Sequence, residues 1–227
     1  MALTDRTLLR LHVEAVWGVR LPSITHSDVT LLPESSQPSW KLCAAEMNGN
    51  RVHIWRADVD AIERAALLAS AHEALALPPM ATTVGINRDV ALHQVASPTM
   101  DVAAAQQITR PLTPHDKSLL ESFQRGSAEY YLYPSCRPLI GVIVEGRLLS
   151  LAHSSRRTSE ACELGIDTLP EARRRGYALA ATILWAATVS LEGLVPLYST
   201  SVENEASLGL AAAAGYHVFA QVATVED

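Results

Sequence analysis

From Tyr177 to Leu191 the sequence is almost wholly apolar, and it is reached through the basic turn Arg173-Arg174-Arg175-Gly176. An apolar run of that length without a polar face reads as a helix buried on all sides, with Gly193 as its stop. It falls short of the roughly 18 apolar residues that a membrane-spanning helix needs. Cys162 to Thr168 before the turn and Leu194 to Thr200 after the helix read as strands, so the segment is a strand–turn–helix–strand unit. A strand that feeds a helix through a glycine-containing basic loop leaves several backbone N–H groups unpaired and directs the positive end of the helix outward. Gly176 lets a ligand approach the backbone, Ala178 keeps the first turn slim, and the three arginines add charge. Pyrophosphate suits such a loop, whereas composition alone also accommodates a solvated turn closed by a glycine.

Upstream, Leu139 to Val144 and Arg147 to His153 read as strands of a hairpin turned at Glu145-Gly146. Asp116 to Arg125 carries a short amphipathic pattern closed by Gly126, and Thr109 to Pro114 reads as a connector. Downstream, a small helix is expected from about Asn204 to Ala214, ended by Gly215 and followed by a strand from Tyr216 to Val222. In the first hundred residues strands are expected over Leu8 to Trp17, Trp40 to Met47 and Val52 to Trp55, with a Pro- and Ser-rich stretch from Pro33 to Ser39. Asp60 with Glu63 reads as a capping box opening a helix with apolar residues at Ile62, Ala65, Ala66 and Ala69, which Pro78-Pro79 stops. Met80 to Gln107 fits either period. The fold class is therefore α/β (α+β), divided near residue 105 into segments 1–105 and 106–227.

At 227 residues, 48% hydrophobic and 19% charged, the composition is that of a folded globular chain. The net charge of -6, with no Lys/Arg stripe, argues against nucleic acid as a partner. Arg156-Arg157 and Arg173 to Arg175 suit one small anion rather than a duplex. The widely spaced Cys43, Cys136 and Cys162 match neither a disulfide framework nor a zinc site. With no apolar N-terminal run, the sequence predicts reduced thiols in a cytoplasmic protein without a membrane partner. No G-x-G-x-x-G, Walker loop, G-x-S-x-G elbow or His pair at metal-ligand spacing occurs, so no metal is expected. His153 and His217 read as structural.

Arg173-Arg174-Arg175-Gly176-Tyr177-Ala178 resembles the coenzyme A signature of the GNAT N-acetyltransferases: Gln or Arg, two residues, Gly, one residue, then Gly or Ala. The resemblance extends over about residues 105–227. It takes in the strand Glu163 to Thr168, Pro170, the helix, the Leu197 to Thr200 strand, Asn204 and Gly215-Tyr216. Asp167-Thr168-Leu169-Pro170 and Tyr198-Ser199-Thr200-Ser201 are similar to the group that reads Glu-Thr-Leu-Pro and Tyr-Ser-Thr-Ser there. The resemblance implies a mixed GNAT-type central sheet with flanking helices, preceded by a smaller α+β domain. That domain is either a degenerate copy of the fold or a shaper of the acceptor site. It also implies acetyl-CoA as cosubstrate and a primary amine as acceptor. Ile166, Asp167 and Thr168 would line the pantetheine arm, Arg173, Arg174, Arg175, Gly176, Tyr177 and Ala178 the pyrophosphate, and Asn204 with Ser207 the cofactor beyond. Asn204 equally reads as the N-cap of the last helix.

Amine acylation requires a proton acceptor for the amine and a donor for the departing thiolate. By resemblance the acceptor is Glu163, with Glu160 as competitor; Glu163 also reads as a solvated residue or a partner for Arg156 or Arg157. Where many family members carry a Tyr seven residues after the Asn, this chain has Ala211. Tyr198 or a hydroxyl of Ser199 to Ser201 would replace it, unless the thiolate leaves unassisted or the domain binds coenzyme A without catalysis. A non-catalytic acyl-CoA sensor is thus the alternative to an N-acetyltransferase, and either is compatible with a homodimer.

Overall fold

A computed structural model describes residues 3–226. The chain forms two compact units, one comprising residues up to His93 with Ser199–Leu208 and Val218 onward, the other Gln94–Tyr198 with Gly209–His217.

In the first unit α1 (Asp5–Trp17) stands where the sequence predicts a strand. Leu9, Leu11, Val13 and Ala15 alternate with Arg10, His12 and Glu14, which imitates a strand. The local chemistry is helical: Thr4 Oγ1 accepts from the Thr7 N–H at 3.2 Å, and Gly18 closes the helix at φ 64°. β1 (Asp28–Thr30) pairs parallel with β3 (Asn50–Trp55), and β2 (Trp40–Met47) pairs antiparallel with β3. With β4 (Ile86–Gln94) and β10 (Tyr216–Glu226), the strand order is β1-β3-β2-β10-β4. Leu9 and Val13 of α1 pack with Cys43, Ile54, Ala91 and Val222 on one face. The other face, with Leu42, Ala44, Trp55 and Val225, is covered by α2 (Ala61–Ala76). Asp60 caps α2, accepting from the Ile62 and Glu63 N–H groups at 2.8 and 3.0 Å, while the Glu63 side chain, expected to complete a capping box, pairs with Lys41 at 3.2 Å. The buried stripe is not the expected one: Ile62, Ala65, Ala66 and Ala69 are exposed, and Leu67, Leu68, Ala71, Ala74 and Leu75 face the sheet. Leucine side chains bury more apolar area than alanines, so they decide the rotation of an Ala-rich helix.

The second unit contains α3 (Val102–Ile108), β5 (Arg110–Pro111), α4 (Lys117–Phe123), α5 (Ala128–Leu132), β6 (Ile140–Val144), β7 (Arg147–Arg157), β8 (Ala161–Thr168) and α6 (Tyr177–Leu191). β9 (Val195–Ser201) and α7 (Glu205–Ala213) follow in the chain. The strand order is β9-β8-β7-β6-β5, mixed, with only the β8–β9 pair parallel. Glu145 and Gly146, at φ 50° and 74°, make the expected two-residue hairpin turn. Helix α6 is buried through Ala180, Ala181, Ile183, Trp185, Ala186 and Val189, and Trp185 Nε1 donates to Ser154 Oγ of β7 at 3.3 Å. On the other face of β7, Leu148 and Leu151 pack with Leu120 and Tyr131 of α4 and α5. The first break between the units falls at His93/Gln94, and α3 packs on α6 within the second unit.

Candidate functional site

The turn between β8 and α6 begins as a 3-10 turn over Pro170–Ala172. Arg174 and Gly176 then take left-handed conformations, φ 60° and 78°. That backbone turns the chain into α6 with no side chain capping it. The first intrahelical bond runs from Ala180 N–H to Gly176 O, so the N–H groups of Tyr177, Ala178 and Leu179 have no helical acceptor. Arg173, Arg174 and Arg175 are exposed beside them, and none of the described ion pairs engages them. The unpaired backbone donors and the positive end of α6 thus lie beside three exposed arginines in the chain, a setting that suits an anion.

β8 leads directly into this turn. Its ladder with β9 consists of Ala161–Val195, Cys162–Pro196 and Glu163–Leu197, and β8 then runs on to Thr168. On the β7 side, Leu169 N–H donates to Leu149 O at 3.0 Å. Antiparallel pairs alternate between bonded and non-bonded positions, so Asp167 and Gly165 bond toward β7. Leu164, Ile166 and Thr168 therefore direct their N–H and C=O groups to the edge that β9 has left. A slot with backbone donors and acceptors adjoins the basic turn.

At the point where the ladder ends, Glu163 is 4% exposed, Tyr198 3% and Tyr216 2%. The Tyr198 and Tyr216 rings meet at 5.6 Å and 60°. Burial and then the negative charge of Glu163 push the Tyr216 phenol well above its ordinary pKa. Tyr216 thus lies against Tyr198 and within electrostatic reach of Glu163. The sequence signal that singles out Tyr216 is its place after Gly215, but its phenol lies far from the signature in the chain. Glu160, the competitor of Glu163, is exposed in the β7–β8 turn. Arg157 pairs with Glu192 at 2.7 Å.

The Asp167 side chain engages Tyr131, whose hydroxyl lies 3.2 Å from its carboxylate, on the α5 face. Its backbone bonds toward β7, so neither group faces the slot. His153, opposite Gly165 in the ladder, is 4% exposed and lies edge-on to Tyr130 and Tyr131 at 5.7 and 5.1 Å. A Cβ on Gly165 would overlap the imidazole, with Cε1 at 2.5 Å. Gly165→Ala is expected to displace the ring and lower stability by about 1–3 kcal/mol, read by denaturant unfolding. Burial depresses the His153 pKa, and those of His72 and His93. The folded chain therefore binds these protons less readily than the unfolded one. That contribution is fully present above about pH 6.5 and is lost as pH falls. His153→Leu should reduce the drop in unfolding midpoint between pH 7.5 and 5.

Asn204 Oδ1 accepts from the Ser207 N–H at 3.1 Å, which makes Asn204 the N-cap of α7. Ala211, on the same helix, is fully buried. Cys43, Cys136 and Cys162 are free and buried, with burial raising each thiol, Cys43 to about 12. Among the described residues no group of three or more His, Cys, Asp or Glu could hold a metal ion, and no helix is long and apolar enough to cross a membrane.

Residues 139–222 match the family model described as GNAT acetyltransferase. No curated protein matches the chain. Among solved structures, a putative GNAT-family acetyltransferase from Novosphingobium aromaticivorans is similar at 21% identity and TM-score 0.50, over 65% of this chain and 69% of that one. An acetyltransferase of the GNAT family from Colwellia psychrerythraea is similar at 14% identity and TM-score 0.52, over 82% of this chain and 65% of that one. At these identities the likeness is one of fold, and it agrees with the mixed sheet and flanking helices. The residues matched by the family model run from the β6 hairpin through the basic turn and α6 into β10, and there the family model and the solved structures agree on a GNAT-type fold.

Proposed function

We propose that the protein transfers the acetyl group of acetyl-CoA to a primary amine of a small molecule or protein, with both substrates bound together and no acyl-enzyme. The observation that carries this reading is the end of the β8–β9 ladder at Glu163–Leu197, which leaves the edge of β8 open along its path to the basic turn. Backbone groups of Ile166 and Thr168 would hold an amide-bearing arm as an added strand would, and the turn from Arg173 to Ala178 would hold a pyrophosphate. The residues fit acetyl-CoA: Gly176 has the left-handed backbone and no capping side chain competes for the helix N–H groups. The cosubstrate supplies an activated thioester. Asp167 would support this site from the other face, through Tyr131, rather than contact the arm.

Glu163, buried at the end of the ladder, would take the proton that the attacking amine loses. Tyr216, kept protonated by its surroundings, or Tyr198 beside it would donate a hydrogen bond where thiolate charge develops. Holding amine and thioester together supplies the rest of the acceleration as proximity. Buried Ala211, standing where many relatives carry a tyrosine, favours the second reading, a non-catalytic acyl-CoA sensor. Release of free thiol from acetyl-CoA across a panel of alkylamines, aminosugars and peptide N-termini separates the two. Steady turnover supports the transferase, and tight binding without thiol release across the panel supports the sensor.

A further inference from the structure

We propose that a cavity in the first unit, floored by Asn87, Asp89 and Thr224 and walled by Trp17 and Glu203, binds an organic cation. The cavity has a volume of about 290 Å³, near the small end of ligand pockets. Its floor is one face of one sheet. Asn87 and Asp89 alternate along β4 with Ala91, which belongs to the core beneath α1. Thr224 follows Val222 of that core by two residues on β10 and pairs with Cys43, another member. Trp17, the last residue of α1, is half-buried and meets Trp40 edge-on at 6.0 Å. Glu203 stands just after β9, directly before Asn204 in the chain.

The lining selects a cation. Arg88 also borders the cavity, but its guanidinium is held by the Leu77, Pro78 and Ala81 carbonyls at 2.6, 3.0 and 3.2 Å. Two carboxylates, Asp89 and Glu203, outnumber it, so an anion would meet net repulsion. Thr224 is 2% exposed, and its hydroxyl is buried with no hydrogen-bond partner among the described residues. A buried hydroxyl left so is costly, and one facing a cavity is satisfied by a ligand or water that enters. An indole ring, carboxylates, an amide and a hydroxyl together make a site for an alkylammonium or arylalkylammonium group, through charge-assisted hydrogen bonds and the ring face.

Calorimetric titration of 1,5-diaminopentane and 2-phenylethylamine, against 1,5-pentanediol and 2-phenylethanol, isolates the charge. At least one amine should bind saturably and at least tenfold tighter than its alcohol. The double variant Asp89→Asn, Glu203→Gln should weaken that binding at least tenfold with acetyl-CoA affinity unchanged. Thr224→Val, of matched volume, should weaken it severalfold and keeps the test decisive should the double variant fail to fold. Alcohols binding as tightly as amines, neither amine binding, or undiminished binding to a folded double variant would each overturn the proposal. Acetyl-CoA titrated into the same sample separates the two readings. Binding of acetyl-CoA with no amine binding removes the cation site alone, and amine binding without acetyl-CoA removes the transferase alone.

Discussion

Gly176→Glu is expected to abolish measurable acetyl-CoA binding while leaving the protein folded. At φ 78° the position favours glycine, and its Cβ direction is open, with only Met100 Cε at 3.9 Å. A glutamate there adds left-handed strain of about 1–2 kcal/mol and places a negative charge at the uncapped start of α6. The loss of two or more charge-assisted hydrogen bonds, at about 1.5–3 kcal/mol each, corresponds to a Kd raised by roughly two to four orders of magnitude. Gly176→Ala introduces the strain without the charge and should weaken binding far less. Calorimetry on both variants, with thermal melts as the control for folding, makes the comparison. Equal, undiminished affinity in folded Gly176→Glu would remove the basic turn from the cofactor site.

Glu163→Gln is expected to lower kcat by about 10²–10⁴-fold, with the Kd for acetyl-CoA unchanged within a factor of two. The side chain is buried within electrostatic reach of Tyr216 at the last paired position of β8 and β9, while the slot and basic turn use other residues. Catalysis and cofactor binding should therefore separate. Single-turnover rates at saturating amine are the measurement, and a kcat within about threefold of the parent would transfer the base role elsewhere. Tyr216→Phe, tested in parallel, should leave acetyl-CoA binding intact and reduce kcat more modestly, since it removes one donor rather than the proton acceptor.

The parts of this fold that could be read directly in the sequence are those specified by short-range chemistry. The unbroken apolar run from Tyr177 to Leu191, the Asp60 cap and the Glu145-Gly146 turn all form as expected. Where two periods coexist in the same residues, local reading fails. Leu9, Leu11, Val13 and Ala15 alternate as a strand would, yet Leu8 and His12 complete a helical stripe that only burial reveals. Met80 to Gln107 holds both a strand and a helix, β4 and α3, whose identities depend on the sheet and the helix they pack against.

The candidate site divides in the same way. The proposed cofactor turn is contiguous, so Arg173 to Ala178 stand out in the sequence by their order. The backbone polarity of Ile166 and Thr168 depends on ladder register, and the side-chain direction of Asp167 on a tyrosine 36 residues away. Tyr216, and the cavity of Trp17, Asp89, Glu203 and Thr224, join residues distant in the chain, and no local spacing marks them. The first unit also recovers Val218 onward from the far end of the sequence, which a linear division at residue 105 has no means to show.

In the function proposed above, the open edge of β8 and the turn into α6 hold coenzyme A. Calorimetric titration of acetyl-CoA into the full chain, with free coenzyme A and ATP as comparison ligands, tests it most directly. Saturable one-to-one binding of acetyl-CoA and coenzyme A is expected, both clearly tighter than ATP, because the proposed slot along Ile166 and Thr168 would recognise the arm that ATP lacks. Absence of binding, or ATP bound as tightly as the coenzymes, would contradict it.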